Sequence, residues 1–120
     1  MQATEVREIV IATIEQDASV SDHVNLEGQV LVGITMPDVW DAAVLTFQVS
    51  MDDVRYLDAY SSAGAEHTIT VAADQHIWLD PSQFASYRWL IVRSGTTATP
   101  VDQTTGDAPR LIELVTRGIG

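Results

Sequence analysis

More than a quarter of this chain is branched at Cβ, and that single feature restricts the backbone it can adopt. Fourteen valines, nine isoleucines and twelve threonines account for 35 of its 120 residues. Two heavy atoms on Cβ stiffen χ1 against the preceding turn of a helix and pack well on a pleated surface. Helix-friendly residues are scarce: lysine is absent and glutamate occurs six times, so long solvated helices are poorly supplied. The composition reads all-β.

The order of residues supports the same reading. From Val44, Leu45, Phe47, Val49 and Met51 alternate with Thr46, Gln48 and Ser50, the period of a half-buried strand. Further strands are expected over residues 6–14, 23–27, 29–36, 55–60, 67–73, 76–79, 87–93 and 110–117. Between them stand turn signals: Gly28, Pro37-Asp38, Asp52-Asp53, Ser61 to Gly64, Asp74-Gln75 and Ser94-Gly95. Val39 to Ala43 reads as one helical turn or an irregular corner. Asp80-Pro81-Ser82 reads as a capped short turn, with Asp80 as N-cap and Pro81 at the first helical position. Gly118 to Gly120 are expected to fray. About eight short strands, spaced by turns every eight to twelve residues, predict a sandwich or barrel. No stretch is long enough for a helical crossover, so the sheets are expected to be antiparallel.

Length predicts one domain over residues 1–120, and no internal repeat marks a solenoid or propeller. Without cysteine, disulfides and thiolate metal sites are excluded. No run approaches the ~18 apolar residues of a membrane span, and the first thirty residues lack the basic-then-apolar order of a signal peptide. A formal net charge of -11 with six scattered arginines argues against nucleic acid and against anionic membrane as partners.

Motifs that carry chemistry are scarce. The glycines never reach the spacing of a dinucleotide or phosphate loop, and no Gly-x-Ser-x-Gly occurs. His67 and His76 become neighbours if their strands pair across Asp74-Gln75, and a metal site there would draw on Asp74 or Glu66; solvated strand-end imidazoles are the plainer reading. Asp52, Asp53 and Asp58 form an oxygen-rich cluster of the kind that holds calcium, or simply a turn. Asp38, Asp41 and Asp80 have no evident partner to orient acid–base work. No catalytic, cofactor-binding or metal-ligating residue is assigned, and no cofactor is expected.

Three segments point to partner binding instead. Ile9-Val10-Ile11 is apolar on both faces, which suits a strand covered on both sides or paired with another chain; residues 1–20, and Ala3 to Ile14 in particular, are a candidate N-terminal arm or strand. The stretch 87–93 carries apolar residues on both faces, and either Tyr87, Trp89 and Ile91 or Leu90 and Val92 line the core. Ile77, Trp78 and Leu79 share that ambiguity. Exposed Trp78 or Trp89 would suit either a protein interface or stacking on sugar rings. The connection 96–109 exceeds common loop lengths and is either flexible or a contact loop. The candidate partner-binding residues are therefore Ile9, Ile11, Trp78, Trp89, Thr97, Pro100 and Gln103.

One resemblance spans Ser21 to Arg117. The runs Ser21-Asp22-His23-Val24-Asn25-Leu26-Glu27-Gly28, Leu31 to Pro37 with Trp40, and Leu45 to Asp52 carry its first half. Phe84, Tyr87-Arg88, Arg93-Ser94-Gly95-Thr96 and Pro100-Val101-Asp102-Gln103 carry the rest. Together they resemble small β-sandwich proteins encoded among tailed-phage virion genes. Many of those carry Asp-Gly where this chain has Asp52-Asp53. The resemblance implies a jelly-roll sandwich serving as a capsid decoration (cement) protein or head-spike base. Such a protein would sit on the outer surface of the virion head, bind the major capsid protein, and self-associate as a homodimer or homotrimer. The acidic charge would suit a basic patch on the shell. Phe84 to Arg93 is also similar to galactose-binding-like jelly rolls, which implies a carbohydrate-binding module as the alternative.

Overall fold

The computed structural model describes the backbone of residues 5–119 and the side chains of residues 7–118. Eight strands follow one another: β1 (Glu5–Ile14), β2 (Val24–Asn25), β3 (Val30–Thr35), β4 (Leu45–Ser50), β5 (Leu57–Asp58), β6 (His76–Trp78), β7 (Trp89–Ser94) and β8 (Arg110–Ile119). They form two antiparallel four-stranded sheets, ordered β1-β8-β3-β6 and β2-β7-β4-β5. The pairings are nested. β4 pairs with β5, β3 with β6, β2 with β7, and β1 with β8. One long hairpin, rolled up so that successive pairs alternate between layers, gives this order, and it is the jelly-roll sandwich.

The core lies between the layers. Ala12, Ile14, Leu31, Ile34, Ile112 and Leu114 come from one sheet, and Val24, Leu45, Phe47, Leu90 and Val92 from the other. Leu45, Phe47 and Val49 face inward as their alternation predicts. On β7 the structure selects Leu90 and Val92 for the core, leaving Trp89, Ile91 and Arg93 on the outer face. Met51, grouped by alternation with the core, lies past the end of β4 and is exposed.

Several boundaries differ from the sequence pattern, chiefly where backbone pairing is confined to isolated bridges such as Tyr60 with Glu66. Only Leu57–Asp58 of the 55–60 stretch joins a ladder, and 87–93 shifts to Trp89–Ser94. Residues 67–73 keep their alternation, with Ile69 and Val71 against the core. They meet a strand only where Ile69 and Leu45 exchange two hydrogen bonds of 2.9 Å. Val39 to Ala43 is an irregular corner. Gly118 and Ile119 do not fray: they pair with Val6 and Glu5, while Gly120 lies outside the described residues. The 3₁₀ turn Pro81–Gln83 forms as expected, the Asp80 side chain accepting from the Ser82 N–H.

The segment expected as an arm is a strand of the sheet. β1 pairs with β8 at ten consecutive positions without a bulge; Ala3 and the rest of residues 1–4 lie outside the described residues. Backbone conformation also explains a departure noted above. Asp53 has φ 61°, the left-handed region that glycine enters freely, so Asp-Gly fits the same turn. At Gly95, with φ 89°, an added Cβ would stand 2.4 Å from the Thr99 carbonyl oxygen, so only glycine fits there.

Candidate docking surface

Side chains on paired strands share a face when their residues are directly opposite, and the register therefore maps the outer face of the β1-β8-β3-β6 sheet. One row runs Ile9, Val115, Gly33, Trp78, and the next runs Ile11, Glu113, Thr35, His76. Thr13 and Leu111 form a third pair. Their neighbours Ala12, Ile112, Leu114 and Ile34 are fully buried, so these rows point to solvent. Trp78 is 81% exposed, Ile9 59%, Leu111 51% and Ile11 40%. Gly33 leaves the middle of the first row low, and a Cβ there would press on the His76 ring at 3.1 Å. His76 Nδ1 lies 2.8 Å from Thr35 Oγ1, which anchors the ring along the second row.

Three of the seven candidate residues, Ile9, Ile11 and Trp78, are thus brought onto one surface from strands nearly seventy residues apart in the chain. The others are dispersed. Trp89 is half-buried on the opposite sheet, across from Ser50 and Asn25. Thr97 is exposed, yet its hydroxyl is engaged by Glu66 and by Arg93 at 2.7 Å. Pro100 is exposed, its backbone bridged to Gly95.

Gln103 is fully buried, so it faces the interior and not a partner. Its amide oxygen accepts from the Asp41 N–H at 2.7 Å, and its amide nitrogen donates to the Asp41 carbonyl at 3.0 Å and to Ser94 Oγ at 2.8 Å. Val115 and Leu111 were missed by sequence reasoning. The double-sided rule applied to Ile9-Val10-Ile11 would have found them, because Leu111 and Val115 alternate with Ile112 and Leu114 in the same way.

Two buried arginines organise polar networks, Arg93 on the outer face of the β2-β7-β4-β5 sheet and Arg110 beside the corner at Asp41. Arg93 reaches Asp58 at 3.0 Å, Glu66 at 2.9 Å and Thr46 Oγ1 at 3.0 Å. Arg110 reaches Asp41 at 3.4 Å, Gln103 Oε1 at 3.2 Å and the carbonyls of Thr105 at 2.5 Å and Ala108 at 2.9 Å. Backbone N–H groups of Thr104 (2.9 Å) and Thr105 (3.3 Å) also point at Asp41. Those hydrogen bonds, the Thr104 N–H first, hold its carboxyl well below the usual carboxylate range. The 96–109 connection is therefore pinned to the corner at Asp41 along its second half.

The other clusters separate. Asp52 caps the Val54 and Arg55 N–H groups, Asp53 binds Tyr56 and His23, and Asp58 belongs to Arg93. Hydrogen bonds hold both Asp52 and Asp53 below the usual range, led by the Val54 N–H and the Tyr56 hydroxyl respectively. His67 and His76 are not neighbours: His67 stacks in the core with Phe84 (4.6 Å), Phe47 (5.5 Å) and Tyr87 (5.8 Å), while His76 stays on β6. Among the described residues no group of three histidines or acids is placed to hold a metal ion. A cleft of ≈ 890 Å³ between Asn25, Gln29, Met51 and Arg88 contains one carboxylate, Glu27.

Burial pushes the His67 imidazole below its ordinary value of 6.5; Gln83 opposes this in part. The unfolded chain then takes up this proton first as pH falls. Its contribution to stability is complete above about pH 6.5 and is lost as pH drops through the window below it. Asp41, Asp52 and Asp53 act lower, below about pH 4, because their folded values lie under the ordinary 3.8. Urea unfolding at pH 5 and 7 is expected to show lower stability at pH 5. His67→Phe, which cannot titrate, flattens that difference; an unchanged slope assigns it to another group.

Fold and surface together define a jelly-roll β-sandwich whose β1-β8-β3-β6 sheet exposes large apolar side chains among polar ones. No protein-family model matches the chain, and no curated protein or solved structure matches it either.

Proposed function

We propose that the chain is a non-enzymatic virion structural protein: a decoration (cement) protein that binds the major capsid protein on the outer surface of a tailed-phage head. The observation that carries this reading is the outer face of the β1-β8-β3-β6 sheet. Trp78, Ile9, Ile11, Leu111 and Val115 share it. Exposed apolar sheet residues gathered on one face suit a protein interface, where aromatic anchors supply most of the binding energy. Beneath it both layers pack on one core, and the second half of the long connection is pinned at Asp41. The net charge of -11 keeps the free protein soluble and favours a basic patch on the shell.

Purified heads of the encoding virus test the reading. The chain is expected in washed heads, and heads lacking it are expected to open at lower temperature until the protein is added back. Its absence from the particles, or equal heat resistance without it, overturns the reading. Trp78→Ala, an exposed substitution that leaves the core untouched, is expected to weaken rebinding by about 2 kcal/mol, some thirtyfold.

The exposed Trp78 indole favours one second reading, a carbohydrate-binding module used in adhesion, since a free aromatic face also stacks on sugar rings. Its own row, Gly33, Val115 and Ile9, is apolar, and in the next row His76 and Thr35 already bond each other at 2.8 Å, which ranks protein contact first. Binding of a glycan array by the isolated protein, lost in Trp78→Ala, would reverse that order.

A further inference from the structure

Among the described residues, β1 offers the longest open strand edge. The other sheet edges, β6, β2 and β5, are three, two and two residues long. β1 runs ten residues with no proline, lysine or bulge. Its charges, Glu5, Arg7 and Glu8, lie in the N-terminal half, so the stretch from Ile9 to Ile11 lacks the devices that blunt an edge.

Its hydrogen-bonding direction can be read at one end. The Thr13 N–H donates to Asp22 Oδ1 at 2.9 Å, and the Asp22 N–H donates to the Thr13 carbonyl at 3.2 Å. Thr13 therefore turns its backbone groups away from β8. Strand backbone alternates, so Ile11 and Ile9 also direct theirs outward, while Val10 and Ala12 bond to β8. The Glu8 carbonyl agrees, accepting from Thr116 Oγ1 on β8 at 3.4 Å. Asp22 closes the edge at Thr13, leaving Ile9 and Ile11 as the open, apolar part.

We infer that a second copy of this chain pairs antiparallel with β1 through this edge, about a two-fold axis at Ile9. Charge and pattern select that register. Axes at Arg7 or at Glu8 would set like charges directly opposite each other, which destabilises a strand pair. An axis at Val10 would oppose Arg7 to Thr13, whose backbone groups Asp22 already occupies, and would leave only the Ile9–Ile11 pairs free. An axis at Ile9 keeps Ile9 with Ile9 and both Arg7–Ile11 pairs, and meets Thr13 only opposite Glu5, at the ends of the ladder. With the axis at Ile9, the two Ile9 residues exchange both backbone hydrogen bonds, and Ile11 faces Arg7 of the second copy. The apolar row of each copy then meets the other end to end. It runs Trp78, Gly33, Val115, Ile9 and back through the second copy in reverse order. At ~4.8 Å per strand this continuous eight-stranded face spans about 34 Å. Such pairing is isologous and closes on itself, so it yields a dimer and not a fibre. It stands apart from the capsid reading, because it is measured on the free protein.

The test uses the full chain, which contains no cysteine. Light scattering across a concentration series is expected to approach twice the 13.1 kDa chain mass. Opposed strand residues lie ~5.5 Å apart at Cα, within disulfide reach. Ile9→Cys is therefore expected to form a reducible dimer under mild oxidation, while Ile11→Cys and Thr13→Cys stay monomeric. Ile9→Lys with Ile11→Lys, both on exposed positions, is expected to shift the mass to that of one chain with an unchanged circular-dichroism spectrum. Trp78→Ala is expected to leave the dimer intact. A single-chain mass at every concentration, a dimer indifferent to the lysine substitutions, or cross-linking through Trp78→Cys in place of Ile9→Cys overturns the inference.

Discussion

Phe47→Ala is expected to cost about 3–5 kcal/mol, a large share of the ~5–15 kcal/mol that holds a domain of this size. The ring is fully buried at the centre of β4 and meets Phe84 edge-on at 5.7 Å, with Tyr87 at 6.0 Å and His67 at 5.5 Å. Those partners come from two further stretches of chain. Truncation loses the transfer energy of the ring and leaves a cavity that none of them can fill, because Leu45 and Val92 on paired strands are themselves closely packed. Urea unfolding followed by tryptophan fluorescence measures the loss. A change under ~1 kcal/mol would mean that Thr46 and Gln48, and not Phe47, face the core.

Arg110→Ala is expected to cost about 3 kcal/mol, the low end of what removing one partner of a buried ion pair does. The guanidinium is buried and ties Asp41, Gln103 and the carbonyls of Thr105 and Ala108 together. Asp41 keeps its hydrogen bonds from the Thr104 and Thr105 N–H groups, which limits the penalty of leaving it without a cation. The loop carries the second signature. Amide exchange and protease cleavage are expected to rise within 96–109 and to stay unchanged in β1 and β4. Uniform change across the chain, or protection of the loop equal to that of the parent protein, would show that Arg110 does not pin it.

Much of the architecture was legible because alternation reports burial directly. The pattern in 44–51 placed Leu45 and Phe47 in the core, and Asp80 and Pro81 marked a 3₁₀ turn by local chemistry alone. Where the pattern named strands that are shortened or absent, over 55–60 and 67–73, the missing ingredient was a continuous backbone ladder in place of isolated bridges, which no local run encodes. The docking face was half legible. Apolar residues on both sides of Ile9-Val10-Ile11 and around Trp78 flagged these segments, but nothing local showed that they share a surface. Gln103 misled for the same reason: a polar residue in a long polar loop reads as exposed, and its partner Asp41 lies 62 positions away.

Composition and periodicity alone determined that this chain is a stack of antiparallel ribbons, because side-chain branching and a two-residue period act within a few neighbouring residues. Only the tertiary structure decided which ribbons touch. Nested pairing of β1 with β8 and β3 with β6 depends on contacts between residues far apart in sequence. Those contacts align Ile9, Val115, Gly33 and Trp78 into one row, and they draw Arg110, Gln103 and Asp41 into one buried network.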